Sequence, residues 1–84
     1  MTNVPQDLRE MWADVYRLFD ANYLLENTKE GWDKFWHDGG ALMAKYRVKY
    51  PLISEMVMLT ARMIEERIKR ENNTFTAIET ETLF

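Results

Sequence analysis

Asn27-Thr28-Lys29-Glu30-Gly31-Trp32-Asp33-Lys34-Phe35-Trp36-His37-Asp38-Gly39-Gly40-Ala41-Leu42-Met43-Ala44-Lys45-Tyr46 decides how many helices this chain has. Trp32, Phe35, Trp36, Gly39, Leu42, Met43, Tyr46 and, just beyond, Tyr50 recur at three- and four-residue spacing, which is the period of one helical face. Asn27 or Thr28 can cap the start, and Glu30 stands three residues after Asn27, as in a capping box. Gly39-Gly40 is the weak point, because two glycines could split the segment into two short helices. Gly39, however, falls in the centre of the apolar stripe. A missing side chain there lets a neighbouring helix come close, at a propensity cost of about 1 kcal/mol per glycine. One helix over about 28–49 is therefore expected, with room for a bend at the glycine pair.

Upstream, Leu8, Met11, Trp12, Val15, Leu18, Phe19 and Tyr23 lie on one side of a helical wheel, with Arg9, Glu10, Asp14, Arg17 and Asp20 on the other. Pro5 suits the first turn of that helix, where its missing N–H costs nothing. Downstream, Tyr50-Pro51 ends the second helix, since a residue before proline is pushed out of the helical region, and Pro51 opens a third. The third stripe is Leu52, Ile53, Met56, Val57, Leu59, Met63, Ile64 and Ile68, opposite Glu55, Arg62, Glu65, Glu66 and Lys69, with Asn72-Asn73 as the stop. The short connections make neighbours antiparallel. The expected fold is all-α: a three-helix bundle over residues 1–73 with helices at about 5–24, 28–49 and 51–72. Residues 74–84 form a Thr-rich tail, extended or loosely packed.

At 84 residues there is room for one small core, and a chain of this size buries only about 60–65% of its unfolded surface. With 46% hydrophobic and 13% aromatic residues it has the material for that core, and disorder is disfavoured. The chain has no cysteine, which excludes disulfides, thiolate metal sites and a thiol nucleophile. No basic leader, lipidation signal or long apolar run is present, so a cytoplasmic protein without a membrane anchor is expected.

Catalytic constellations are wanting. His37 is the single histidine, and Glu30, Asp33 and His37 lie on the polar side of the second helix, where a solvated face is the simpler reading than a metal site. Ser54, the single serine, has no histidine near it in sequence, and no phosphate-cradling glycine loop is present. No enzyme activity, cofactor or metal is expected.

The formal charge of −3 conceals a division. Residues 1–44 carry four basic and eight acidic side chains, whereas residues 45–72 carry seven basic and four acidic. Lys45-Tyr46-Arg47-Val48-Lys49-Tyr50 interleaves cations with aromatics, a pattern that can track phosphates and stack on bases. Lys45, Arg47, Lys49, Arg67, Lys69 and Arg70 are the residues such binding would use. Two features disfavour nucleic acid: the tyrosines belong to the core stripe, and cations suit a helix C-terminus through its dipole. The acidic residues of the first two helices, Asp14, Asp20, Glu30, Asp33 and Asp38 among them, could face a basic protein. Leu24, Val48 and Met58 fall on outer faces, and Phe75, Ile78, Leu83 and Phe84 punctuate the tail. Met58 and the four tail residues join the acidic group as partner-contact candidates.

The run from Trp12 to Arg70 resembles small uncharacterised helical proteins encoded by phages and mobile elements of gut Firmicutes. The shared features are the Val15-Tyr16 pair, the Glu26-Asn27-Thr28 turn, Trp32 to Trp36 and the closing Ile64-Glu65-Glu66-Arg67 helix. Proteins of that setting often bind host machinery, including defence nucleases, so the resemblance implies a host-modulating inhibitor of the anti-CRISPR type. The expectation is a non-enzymatic protein-binding module. A basic-segment nucleic-acid accessory protein and a structural homo-oligomer are the alternatives.

Overall fold

The computed structural model describes residues 3–72 and contains three helices: α1 (Gln6–Asn22), α2 (Lys29–Tyr46) and α3 (Ile53–Asn72). Each packs on both of the others, and no strand occurs among the described residues. α2 runs antiparallel to α1 and α3, so α1 and α3 lie side by side in parallel. The expected all-α three-helix bundle is therefore the fold. The tail positions Phe75, Ile78, Leu83 and Phe84 lie outside the described residues.

The helix ends follow from local chemistry. Pro5, extended at φ −57° and ψ 149°, sits just ahead of α1 and its carbonyl accepts the Arg9 N–H at 3.1 Å. At the other end the buried Asn22 side-chain amide donates back to the Leu18 carbonyl one turn earlier at 2.8 Å, which satisfies the amide inside the fold. Thr28, not Asn27, caps α2, its hydroxyl accepting the Gly31 N–H at 3.1 Å. With Thr28 as cap the third helical position is Gly31, so the capping box built on Asn27 and Glu30 does not form. Asn27 instead accepts the Trp32 indole N–H at 2.9 Å. α2 ends at Tyr46 rather than near residue 49. The Pro51 ring cannot donate to the Arg47 carbonyl and would collide with it in a continued helix, so residues 47–52 form the turn into α3.

The core is built from Met11, Val15 and Leu18 of α1, Phe35 and Tyr46 of α2, and Ile53, Val57, Ala61, Ile64 and Ile68 of α3. Phe35, Ile53, Val57 and Ile64 are completely enclosed. Leu24 and Val48 stand in solvent, as their wheel positions indicate, with 92% of Val48 exposed.

α2 passes unbroken through the glycine pair, and the two glycines are not equivalent. Gly39 is buried, and a Cβ added there would stand 2.8 Å from Val57 Cγ1. Val57 is β-branched and fully enclosed, so it cannot swing away. At Gly40 an added Cβ would meet nothing within 4 Å. Gly39 is thus the close-approach residue, and Gly40 only lowers helix propensity. Opposite effects are expected from the same substitution. Gly39→Ala should destabilise by about 1–3 kcal/mol through overpacking, and Gly40→Ala should stabilise by about 0.5–1 kcal/mol. Urea unfolding followed by circular dichroism measures both; equal shifts in the two variants would contradict the assignment.

Candidate functional site

Two rungs of polar side chains tie the end of α2 to α1. Lys45 and Tyr46 both donate to Asp14, the amine at 3.2 Å, and Arg17 donates to the other oxygen of the same carboxylate at 2.6 Å. One turn later Lys49 and Tyr50 both donate to Asp7, at 2.6 and 2.9 Å. The bond from Tyr46, followed by the cations, holds the Asp14 carboxyl below its usual range. The bonds from Lys49 and Tyr50 do the same for Asp7. Lys45 and Lys49 are raised by their carboxylates, Tyr46 chiefly by its bond to Asp14, and Tyr50 by burial first and Asp7 second.

This arrangement uses up most of the interleaved basic-aromatic run. Lys45, Tyr46, Lys49 and Tyr50 are bonded to α1, though both lysines stay largely exposed, and Arg47 is the run's cation outside the two rungs. Arg67, grouped by sequence with the exposed bases, is buried. Its guanidinium donates to the Leu25 carbonyl at 3.1 Å and to Glu71 at 2.9 Å, and it lies over the Tyr23 ring at 5.6 Å. The spacing of Arg67 from Thr60 and Ile64, seven and three residues, puts it on the inward arc, where it clamps the α1–α2 connection. Lys69 and Arg70 are exposed on the last turns of α3. The six cations therefore do not make one continuous surface.

Among the acidic candidates, Asp14 belongs to the α1–α2 rung and only 18% of its side chain is exposed. Asp33 pairs with Lys29 at 2.7 Å and Asp38 with Lys34 at 3.2 Å, both along α2. Asp20 and Glu30 are exposed. His37 is exposed as well, and no group of three His, Asp or Glu side chains among the described residues is placed to hold a metal.

The largest departure from the wheel reading concerns apolar residues assigned to the core. Trp12 is 60% exposed, and Leu52, Leu59 and Met63 are also exposed, whereas Thr60 and Ala61 are buried. Trp36 is partly exposed too, stacked on Trp32 and edge-on to Phe35. The apolar arcs of α1 and α3 are wider than three helices can close upon, so each carries a second seam beside the one facing the core. On α1 that seam is Trp12, Tyr16 and Phe19, continued by Tyr23 just past its end; on α3 it is Met56, Leu59 and Met63, preceded by Leu52, with Phe19, Tyr23 and Met56 also packed against the core. Both are spaced four, three, four, the heptad pattern of a helix-packing face.

The two seams meet in one groove between α1 and α3. Its floor is Val15 and Thr60, and its walls are Trp12, Tyr16, Leu59 and Met63. The hollow holds about 200 Å³, close to the size of one bulky side chain, and a second hollow of about 310 Å³ adjoins it over Tyr16, Phe19, Tyr23 and Met63. Met58 lies apart from it, on the outer side of α3, in a shallow depression lined by that helix alone. No family model matches this chain, and no curated protein or solved structure is similar to it.

The polar rungs predict how stability responds to pH. Asp7 and Asp14 titrate lower in the fold than in the unfolded chain, so their contribution is complete above the ordinary carboxylate range and is lost as pH falls through it toward their depressed values. Lys45, Lys49, Tyr46 and Tyr50 are raised, so their contribution is complete below about pH 10 and fades above it. Urea midpoints should hold level between those limits and drop on either side. In the Asp7→Asn, Asp14→Asn double variant the acid-side drop should flatten; an unchanged acid limb would show that these carboxylates are not responsible.

Proposed function

We propose that this chain is a non-enzymatic protein-binding module whose contact surface is the α1/α3 groove. The observation that carries the reading is the paired heptad seam: two packed helices present Trp12, Tyr16, Leu59 and Met63 to solvent along one line. Scattered apolar residues on a surface need no explanation, but a contiguous, ordered patch of aromatic and Met side chains marks an interaction site. Trp and Tyr are the side chains that most often dominate protein interfaces. The groove is lined by apolar side chains with Thr60 as its one aliphatic polar member, which suits a protein side chain, and of the basic residues that could support nucleic-acid binding Arg67 is buried and Lys45 and Lys49 are bonded to α1. The resemblance to phage and mobile-element proteins extends the reading to a host protein, with inhibition of a defence nuclease as its most specific form.

A photo-cross-linking amino acid in place of Tyr16 tests the surface directly, with the same replacement at Val48 as control. In a bacterial lysate, protein adducts are expected from position 16 and not from position 48. A host-modulating role requires an adduct to a different protein. No adduct specific to position 16 would contradict the reading.

A further inference from the structure

We propose that the α1/α3 groove is the interface of a two-fold symmetric dimer of this chain, in which the paired seams of two copies pack as a four-helix bundle. The inference rests on the groove being a protein-contact surface and names what fills it.

Self-association through a two-fold axis requires one patch to carry both the projection and the recess that receives it. The groove does so. Trp12, Tyr16, Leu59 and Met63 project on either side of a hollow floored by Val15 and Thr60. The hollow of about 200 Å³ suits a single Leu, Met or aromatic side chain from the opposing copy. Because α1 and α3 are side by side with matched heptad spacing, a second copy turned about the two-fold axis would lay its own pair antiparallel across them. That is knobs-into-holes packing along the length of the seam.

The available area is sufficient. Trp12 at 60% and Tyr16 at 66% exposure leave roughly 250 Å² in solvent, taking 150–250 Å² per aromatic side chain. Leu52, Leu59 and Met63, each about half exposed, bring the apolar part of one face to the order of 500 Å². Two such faces would bury about 1,000 Å² together, the size at which a specific but weak dimer becomes feasible.

Sedimentation equilibrium of the full chain tests the proposal. The mass should rise from 10.1 kDa toward twice that value as concentration climbs from about 1 μM to about 1 mM. Leu59→Glu should weaken association about a hundredfold or more, since the substitution enters the interface twice, with helical circular dichroism retained because Leu59 is largely exposed. Tyr16→Glu supplies a second variant on the other helix, and Val48→Glu should associate as the parent does. A chain that stays monomeric throughout, or a dimer that survives both groove variants, overturns the proposal. Monomeric behaviour together with a position-16 adduct to a different protein, such as one donating an amphipathic helix, would defeat self-association while leaving the contact surface in place. Failure of both measurements would defeat both.

Discussion

The contact between Gly39 and Val57 is the constraint on which the arrangement of this bundle depends. A helix axis can approach another this closely only where a side chain is missing, and the space that a Cβ would need at Gly39 is filled by a rigid, enclosed valine. Seating α2 there closes one side of the α1/α3 pair. Phe35, one turn earlier on the same face, then reaches the centre of the core. A chain of 84 residues has one such core to build. Once α2 occupies one side of the α1/α3 pair, no further described helix is available for the other, and Trp12, Tyr16, Leu59 and Met63 face outward.

Packing alone would allow α2 to slide along its neighbours, and the two polar rungs fix its register. Asp7 and Asp14 are seven residues apart, two turns of α1, and each receives a lysine and a tyrosine from the end of α2 or the turn that follows. A displacement by one turn would take the Tyr46 and Tyr50 hydroxyls from Asp14 and Asp7 and leave Asp14 only Arg17 of its own helix, a cost that apolar contacts do not carry. Arg67 acts at the opposite end of the molecule, joining α3 to the loop between α1 and α2 through the Leu25 carbonyl. Lys45, Lys49 and Arg67, three of the six basic residues that resemble a phosphate-binding set in the sequence, thus help to align the helices.

Helix number, helix type and the role of Gly39 were legible in the sequence, because periodicity and the place of a glycine within a stripe are local properties. The width of the buried arc was not: Trp12, Leu52, Leu59 and Met63 belong to the stripes yet stand exposed. Leu59 and Met63 are as apolar as Val57 and Ile64, and a wheel drawn for one helix does not say which part of a wide apolar arc meets a neighbour. The polar rungs were hidden for a related reason: Tyr46 and Tyr50 read correctly as inward-facing, but their partners lie on another helix and depend on register. Arg67 did leave a trace, standing in phase with Thr60 and Ile64, although its charge suggested the surface. The candidate groove combines Trp12, Leu59 and Met63, which the sequence placed in the core stripes, with Tyr16, which it did not, and of the acidic candidates Asp14 is tied to α2 while Asp33 and Asp38 form exposed pairs along α2.

In this account the interaction surface is the remainder of the packing problem: apolar seams that a three-helix core has no room to enclose, laid side by side by the same contact that builds that core. The most direct measurement is a dilution series followed residue by residue by nuclear magnetic resonance. The account predicts concentration-dependent shifts in the Trp12 indole, Tyr16, Leu59 and Met63, with Gly40, Val48 and the Trp36 indole unmoved. Shifts that are absent at every concentration, or that gather around Val48 and Trp36 instead, would contradict it.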